Sequence, residues 1–290
     1  MHGMALANRP LWALALLAFS CVALLLVAGP MSHDGSDRTV GWLRAGQTNL
    51  AGWAVYEGHP DAGADLSDAV GAADLNIVGV AEACEKQLAE AERRLAVHAD
   101  VQAVFQRTVP ADHSLPWGAQ TDDECVYGIG LIARGPVKLT DVRAMELPTL
   151  DGAPGGFDRE EDRWVLCART ASDTQRMDGL HVCTTHFTRW EVTEGRRLLQ
   201  ANHLAGQLSS LVGDGSPVLV LADLNARRGD PDIDPLYDLG LSDVGDGDSR
   251  DHVLVSGLDH GALRGVAVGL SDHELVWAAV AAPAAVAVTG

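Results

Sequence analysis

Polar side chains able to hold a metal ion or move a proton recur in this chain where apolar runs end. Asn49 lies in "GQTNLAG", Glu82 ends "NIVGVAE", His186 ends "LHVCTTH", and Asp223 and Asn225 end "VLVLADLN". Asp251 opens "DHVLVS", and "SDHELVWAAV" puts Asp272 and His273 before the last apolar run. Singly, each has an ordinary explanation. A Glu before a helix is a first-turn acid matched to the helix dipole, and an Asp-x-Asn after a strand is an Asx turn.

Together they supply what metal-assisted hydrolysis of a phosphodiester needs. A hard cation such as Mg2+, or Mn2+ in its place, takes oxygen ligands and usually only one or two protein carboxylates, leaving the rest of its shell to water and substrate phosphate. Glu82 and Asp272 suffice, with Asn49 as a neutral helper. The attacking water needs a base, either a His held by an Asp or an Asp near the metal. Donors aimed at the non-bridging oxygens are available in Asn225 and in a charged or neutral His186. Arg227 and Arg228, directly after Asn225, stand ready either for a backbone phosphate or as solvated loop charges.

The elements that must position these residues alternate. "LNIVGVAE" is a continuous apolar run of the buried-strand type, and "ACEKQLAEAERRLAVH" after it sets Leu88, Ala91 and Leu95 on one helical face, with Glu90 and Arg94 as an i,i+4 pair. Strands are expected at 101–107, 127–133, 163–169, 180–186, 218–223, 252–256 and 275–281. A second helix over 192–212 is expected to bury Leu198, Ala205, Leu208 and Val212, stopping at Gly213 to Gly215. Strands outnumber helices and several are joined by hairpin-length loops, so the sheets are expected to be mixed or antiparallel in a layered α/β sandwich. No G-x-G-x-x-G follows the first strand and no G-x-x-x-x-G-K-[ST] occurs, which argues against nucleotide-cofactor folds.

Residues 11–29, "LWALALLAFSCVALLLVAG", read as a signal peptide or a signal anchor. Pro30 stands where processing would be expected and no clean A-x-A precedes it, so cleavage and anchoring both stay open. Residues 31–39 suit a linker, the domain is expected over 40–281, and 282–290 form a tail. Export would put the domain in an oxidising compartment, secreted or held at the membrane by its leader. There the four remaining cysteines are expected as disulfides, Cys167 with Cys183 on neighbouring strands and Cys84 with Cys125 by elimination. A zinc site is the alternative, but no C-x-x-C or H-E-x-x-H spacing supports it. Arg9 is the only formal charge in the first thirty residues, so the remainder carries 20 basic against 40 acidic side chains. That balance disfavours non-specific grip on nucleic acid or anionic membrane, though not a nuclease with a local basic or metal-filled groove.

The ordered series "TNL", "VGVAEAC", "YGIGLIAR", "CTTHF", "LADLNARRGDPD", "RDHVLVS" and "LSDHELV" resembles the endonuclease/exonuclease/phosphatase superfamily over roughly residues 40–281. The resemblance implies a four-layer α/β/β/α sandwich, two mixed β-sheets flanked by helices, with the site on loops at one edge. It implies that Asn49, Glu82 and Asp272 lie on the metal side, that His186 contacts the phosphate, and that Asp223 and Asn225 orient the water and steady the transition state. It also implies that Asp251 holds His273, although a shifted alignment would put Asp248 in that place. Members usually read G-D-x-N and Q-E where this chain has Ala222-Asp223 and Ala81-Glu82, and an aromatic is common where Thr48 stands.

The expected function is an exported, Mg2+-dependent phosphodiesterase, acting as a monomer on nucleic acid. One rival keeps the chemistry and takes a lipid head group, for which Trp117 and the Trp190 region would have to meet the membrane. A small phosphomonoester is a further substrate, disfavoured by the near absence of Lys. A catalytically inactive binding module is the rival from another class.

Overall fold

The apolar runs Leu43–Asn49 (β1) and Ile77–Cys84 (β2) are almost wholly buried, as strands covered on both faces must be, and they pair in parallel. The computed structural model describes residues 42–52, 54–108, 125–148, 162–172, 177–189, 195–245 and 248–282. The leader, the linker, Trp117, Trp190 and the start of the expected 192–212 helix lie outside them. Among the described residues no helix is long and apolar enough to cross a membrane.

Between β1 and β2 runs a helix with no strong apolar stripe in the sequence, Asp61–Ala72 (α1), which buries Leu66 and Val70 beside small residues. The next helix, Glu85–Leu95 (α2), buries the expected Leu88, Ala91 and Leu95, and Glu90 receives both Arg93 and Arg94 on its exposed side. Val101–Arg107 (β3), Tyr127–Arg134 (β4), Val137–Glu146 (β5), Trp164–Ser172 (β6) and His181–His186 (β7) follow. β5 was not expected, because most of its residues after Leu139 are at least partly exposed and carry no apolar alternation.

The long helix Arg196–Gly213 (α3) corrects the expected stripe. Its buried face is Arg196, Gln200, Ala201, Leu204 and Leu208, while Leu198 is 38% exposed. The reason is polar: Gln200 is buried because its carboxamide accepts from the Thr188 N–H and donates to the Thr188 hydroxyl. Val218–Asp223 (β8), the single turn Pro231–Ile233, the short helix Asp234–Asp238 (α4) and the strands Ser242–Asp243 (β9), Asp251–Ser256 (β10), Asp259–His260 (β11), Arg264–Ala267 (β12) and Glu274–Ala281 (β13) complete the chain.

One sheet has the order β11-β13-β1-β2-β4-β3, with β12 also on β13, and the other β5-β6-β7-β8-β10-β9. Both are mixed, each built about one parallel pair, β1 with β2 and β7 with β8. Leu43, Ile77 and Leu131 of the first sheet meet Leu166, Val182 and Leu221 of the second in a shared core. Residues of α1 and α2 cover the outer face of the first sheet, and residues of α3 that of the second. The layers therefore run helix, sheet, sheet, helix, as expected. Because both central pairs are parallel, Asn49, His186 and Asp223, which end their strands, and Glu82, two residues before the end of β2, come to one edge of the sandwich. There the antiparallel β10 begins with Asp251 directly opposite Asp223.

Two disulfides join Cys84 to Cys125 and Cys167 to Cys183, the pairs expected. The second links residues directly opposite each other on β6 and β7. The first closes a loop of sequence separation 41, at the end of the strand that carries Glu82. By loop-closure entropy, replacing Cys84 and Cys125 together by Ser is expected to lower the unfolding free energy by about 4 kcal/mol. Urea denaturation measures this, and an unchanged midpoint would show that the crosslink adds nothing.

Candidate active site at the strand ends

Glu82 is held in an unusual backbone. The register of β2 against β4 shifts between Val80 and Ala83, and Glu82 within that bulge has φ +53°. A left-handed conformation costs a branched or long side chain on the order of 1 kcal/mol, and bulges of this kind re-aim a side chain beside functional sites. Here the carboxylate turns towards the gap between the sheets. Its Oε1 accepts an N–H from the Asn49 carboxamide at 2.9 Å, and the same Asn49 nitrogen donates to Asp223 Oδ2 at 2.9 Å. Asn49 thus ties an acid of one sheet to an acid of the other. Its own Oδ1 is taken by the Ala51 N–H, so it meets the site as a donor.

On the second sheet, Asp223 Oδ1 accepts the Asn225 N–H at 3.0 Å, an Asx turn that leaves Asn225 at φ +48°. The Asn225 carboxamide donates to the Phe187 carbonyl and lies 3.0 Å from His186 Nε2. The Arg163 guanidinium can only donate, and its Nη1 lies 2.8 Å from His186 Nδ1, while the Asn225 carboxamide nitrogen, also a donor, lies 3.0 Å from Nε2; donors thus face both ring nitrogens and disfavour the doubly protonated ring. Burial holds the proton affinity of His186 well below the usual histidine range, and the charges of Arg163 and Arg189 push the same way. His186 Nε2 lies 3.6 Å from Asp223 Oδ2 and 3.7 Å from Glu82 Oε1.

Asp251 supplies the contact to His273: Oδ2 is 2.5 Å from His273 Nδ1. Asp248, the other acid considered for that place, is exposed on the wall of the neighbouring cleft. Burial lowers the proton affinity of His273, but the hydrogen bond to Asp251 and the charges of Asp251, Asp223 and Asp272 outweigh it and push its pKa up to about 9. Burial and the charge of Asp251 push Asp223 up to about 7, against the favourable His273 charge and the Asn49 hydrogen bond. Asp251 is also raised, by burial first. Ser271 braces this corner, its hydroxyl donating to the Asn49 carbonyl and accepting the His273 N–H.

Ligand atoms of Asp223, Asp251 and His273 all lie within 4.8 Å of one another. Oδ1 of Asp251 is buried without a well-formed hydrogen bond; the Gln47 amide beside it favours the ionised form. An orphaned carboxylate oxygen among clustered acids fits a divalent cation, which would take the oxygens of Asp223 and Asp251, with Glu82 adjoining through Asn49. Asp272 is exposed beside His273 and lies outside that cluster. Arg189, at 3.9 Å from Glu82 Oε1, is the cation facing that acid. Arg227 and Arg228 are exposed, and with Asp251 and His273 they line a cleft of about 850 Å3 that opens beside the cluster.

Arg163, Gln47 and Ser271 were not among the residues expected from the sequence. A single arginine before a strand carries no spacing signal, whereas the serine of "SDH" was quoted without being given a role. Asp251→Asn tests the pair directly. In metal-free buffer the titration of the His273 ring, followed by NMR, is expected to fall from about 9 towards the ordinary value of 6.5. Since the folded value is the raised one, the pair's contribution to stability is whole below about 6.5 and is lost as the pH rises through about 9. A titration that stays near 9 in Asp251→Asn would assign the shift to the other acids.

No protein-family model matches the sequence, and no curated protein matches it. Solved structures match in fold. An endonuclease/exonuclease/phosphatase from Bacteroides vulgatus superposes with a TM-score of 0.62 at 16% identity, over 82% of this chain and 98% of that one. The mannosyl-6-phosphatase from Bacteroides thetaiotaomicron gives 0.61 at 16% identity, over 82% and 99%. ANGEL2, a 2',3'-cyclic phosphatase in complex with adenosine-2',3'-vanadate, gives 0.63 at 14% identity, over 83% and 96%. With its two mixed sheets, their flanking helices and the strand-end cluster between them, the chain has the fold of the endonuclease/exonuclease/phosphatase superfamily.

Proposed function

We propose that the chain is an exported, Mg2+-dependent phosphodiester hydrolase whose substrate is nucleic acid. The observation that carries the reading is the meeting of Asp223, Asp251 and His273 within 4.8 Å, with one buried oxygen of Asp251 lacking a well-formed hydrogen bond among the described residues. Similarly folded proteins described as phosphatases, one holding adenosine-2',3'-vanadate, support phosphoester chemistry. The leader at residues 11–29 supports export.

A bound Mg2+ would supply positive charge to the phosphate oxygens. Asp223, beside the place of that cation, orients the attacking water and takes its proton. His273, charged at neutral pH and fixed by Asp251, donates to a phosphate oxygen. His186 and Asn225, in contact with each other, steady the group from the strand ends of the second sheet. Arg227 and Arg228 lie along the cleft where flanking phosphates of a polymer would run. The mannosyl-6-phosphatase makes a sugar phosphate the substrate to compare against.

Asp223→Ala and His273→Ala are each expected to abolish hydrolysis of bis-p-nitrophenyl phosphate in the presence of Mg2+ while the circular dichroism spectrum is kept. Near-normal rates in either would break the site. Wild-type turnover that survives EDTA would remove the metal from the reaction. Glu82→Gln is expected to raise the Mg2+ concentration needed for half-activation more than it raises KM. A panel of plasmid DNA, RNA, sphingomyelin and mannose 6-phosphate then separates nuclease from lipid and sugar substrates.

A further inference from the structure

Beneath the loop that carries Asn225 lies a third histidine, which the proposed chemistry does not use. His252 follows Asp251 on β10 and is 2% exposed. Strand alternation turns it away from the acid cluster: its partner across the ladder is Ala222, part of the core under α3. Its Nδ1 lies 2.6 Å from Asp243 Oδ2 and its Nε2 lies 2.8 Å from the Ala226 carbonyl oxygen. A carbonyl and a carboxylate only accept, so the ring donates from both nitrogens, and Asp243 meets the charge of such a ring.

Asp243 extends the contact to a second loop. Its Oδ1 accepts the Gly245 N–H at 3.1 Å, and the Tyr237 hydroxyl approaches Oδ2 at 3.4 Å. The Gly245 carbonyl in turn accepts Arg228 Nη1 at 2.9 Å. The loop from Leu224 onward is also held by the Asn225 side chain on the Phe187 carbonyl and by backbone N–H groups. Leu224 donates to the Arg250 carbonyl, Asn225 to Asp223 and Arg227 to Asp230. His252 fixes the carbonyl of Ala226, and so the Ala226–Arg227 peptide plane, one residue beyond the left-handed Asn225.

We infer that His252, paired with Asp243, is a positioning residue that clamps the Asp223–Asn225 loop from below and, through Gly245, ties Arg228 to the same frame. Its catalytic consequence rests on the hydrolase reading; the clamp itself does not. Displacements of about 1 Å at a reacting group cost roughly 100-fold in rate, so loss of the clamp acts on kcat while KM stays.

Two amides divide the histidine's bonds. In His252→Gln the carboxamide nitrogen takes the place of Nε2 and keeps the Ala226 carbonyl, and adding Asp243→Asn removes the carboxylate left without its partner. In His252→Asn the nitrogen takes the place of Nδ1, keeping Asp243 and losing Ala226. The clamp predicts slow hydrogen exchange over residues 224–230 and near wild-type kcat on bis-p-nitrophenyl phosphate in the double variant His252→Gln/Asp243→Asn. For His252→Asn it predicts exchange in that loop roughly tenfold faster or more and a kcat about 100-fold lower at unchanged KM. A role in core stability alone gives the reverse order, because His252→Asn retains the Asp243 bond. That order, or equal behaviour of the two variants, overturns the inference. If wild type shows no turnover the hydrolase reading fails, and the exchange comparison still decides the clamp.

Discussion

Three carboxylates, Glu82, Asp223 and Asp251, sit at most 5% exposed at one edge of the sandwich, and much of the local architecture answers that fact. A buried carboxylate is costly unless donors or cations meet it. Parallel strand pairs at the centre of each sheet bring the acids to the same edge. Asn49 then spends both amide hydrogens on one acid from each sheet, so the contact that neutralises repulsion also sets the sheets in register with each other. The bulge at Glu82 and the Asx turn at Asn225 are local distortions in the same service: each accepts a left-handed residue so that a side chain can point into the gap.

The charges are shared unequally, and that inequality is what makes the cluster chemically useful. One histidine is held neutral and the other charged, though both lie within reach of the same acids. The deeper burial of His186 is the first reason, and the ring nitrogens that face away from the cluster are the second. Arg163 donates to Nδ1 of His186 and suppresses its protonation, whereas Asp251 accepts from Nδ1 of His273 and promotes it. Two titratable groups whose surroundings push them apart can take opposite parts in one proton transfer.

The strand ends were legible in the sequence because a buried strand that stops at a functional edge changes character abruptly, from Val-Leu-Val-Leu to Asp-x-Asn within two residues. Elements whose packing depends on small or polar side chains were not legible. α1 packs through alanine and glycine: a Cβ at Gly63 would lie 2.1 Å from the Gln87 carbonyl oxygen, so the close approach of α1 to α2 needs glycine there. α3 buries Gln200 and Arg196 in place of the leucine that periodicity favoured. Within the site the residues that end strands were visible, while Arg163, which acts on one of them from a neighbouring strand's start, was not. A partner across a ladder leaves no mark in local spacing.

Where the family that the sequence resembles usually reads Gly-Asp and Gln-Glu, this chain has Ala222-Asp223 and Ala81-Glu82. The altered residues precede the acids along the strand, and alternation points them to the other face of the sheet or into the bulge. Ala222 belongs to the core under α3, opposite His252, and any small residue fills that place. What cannot drift independently is the set of hydrogen bonds among Asn49, Glu82, Asp223, Asp251 and His273, since removing one member leaves a neighbour buried with an unmet charge.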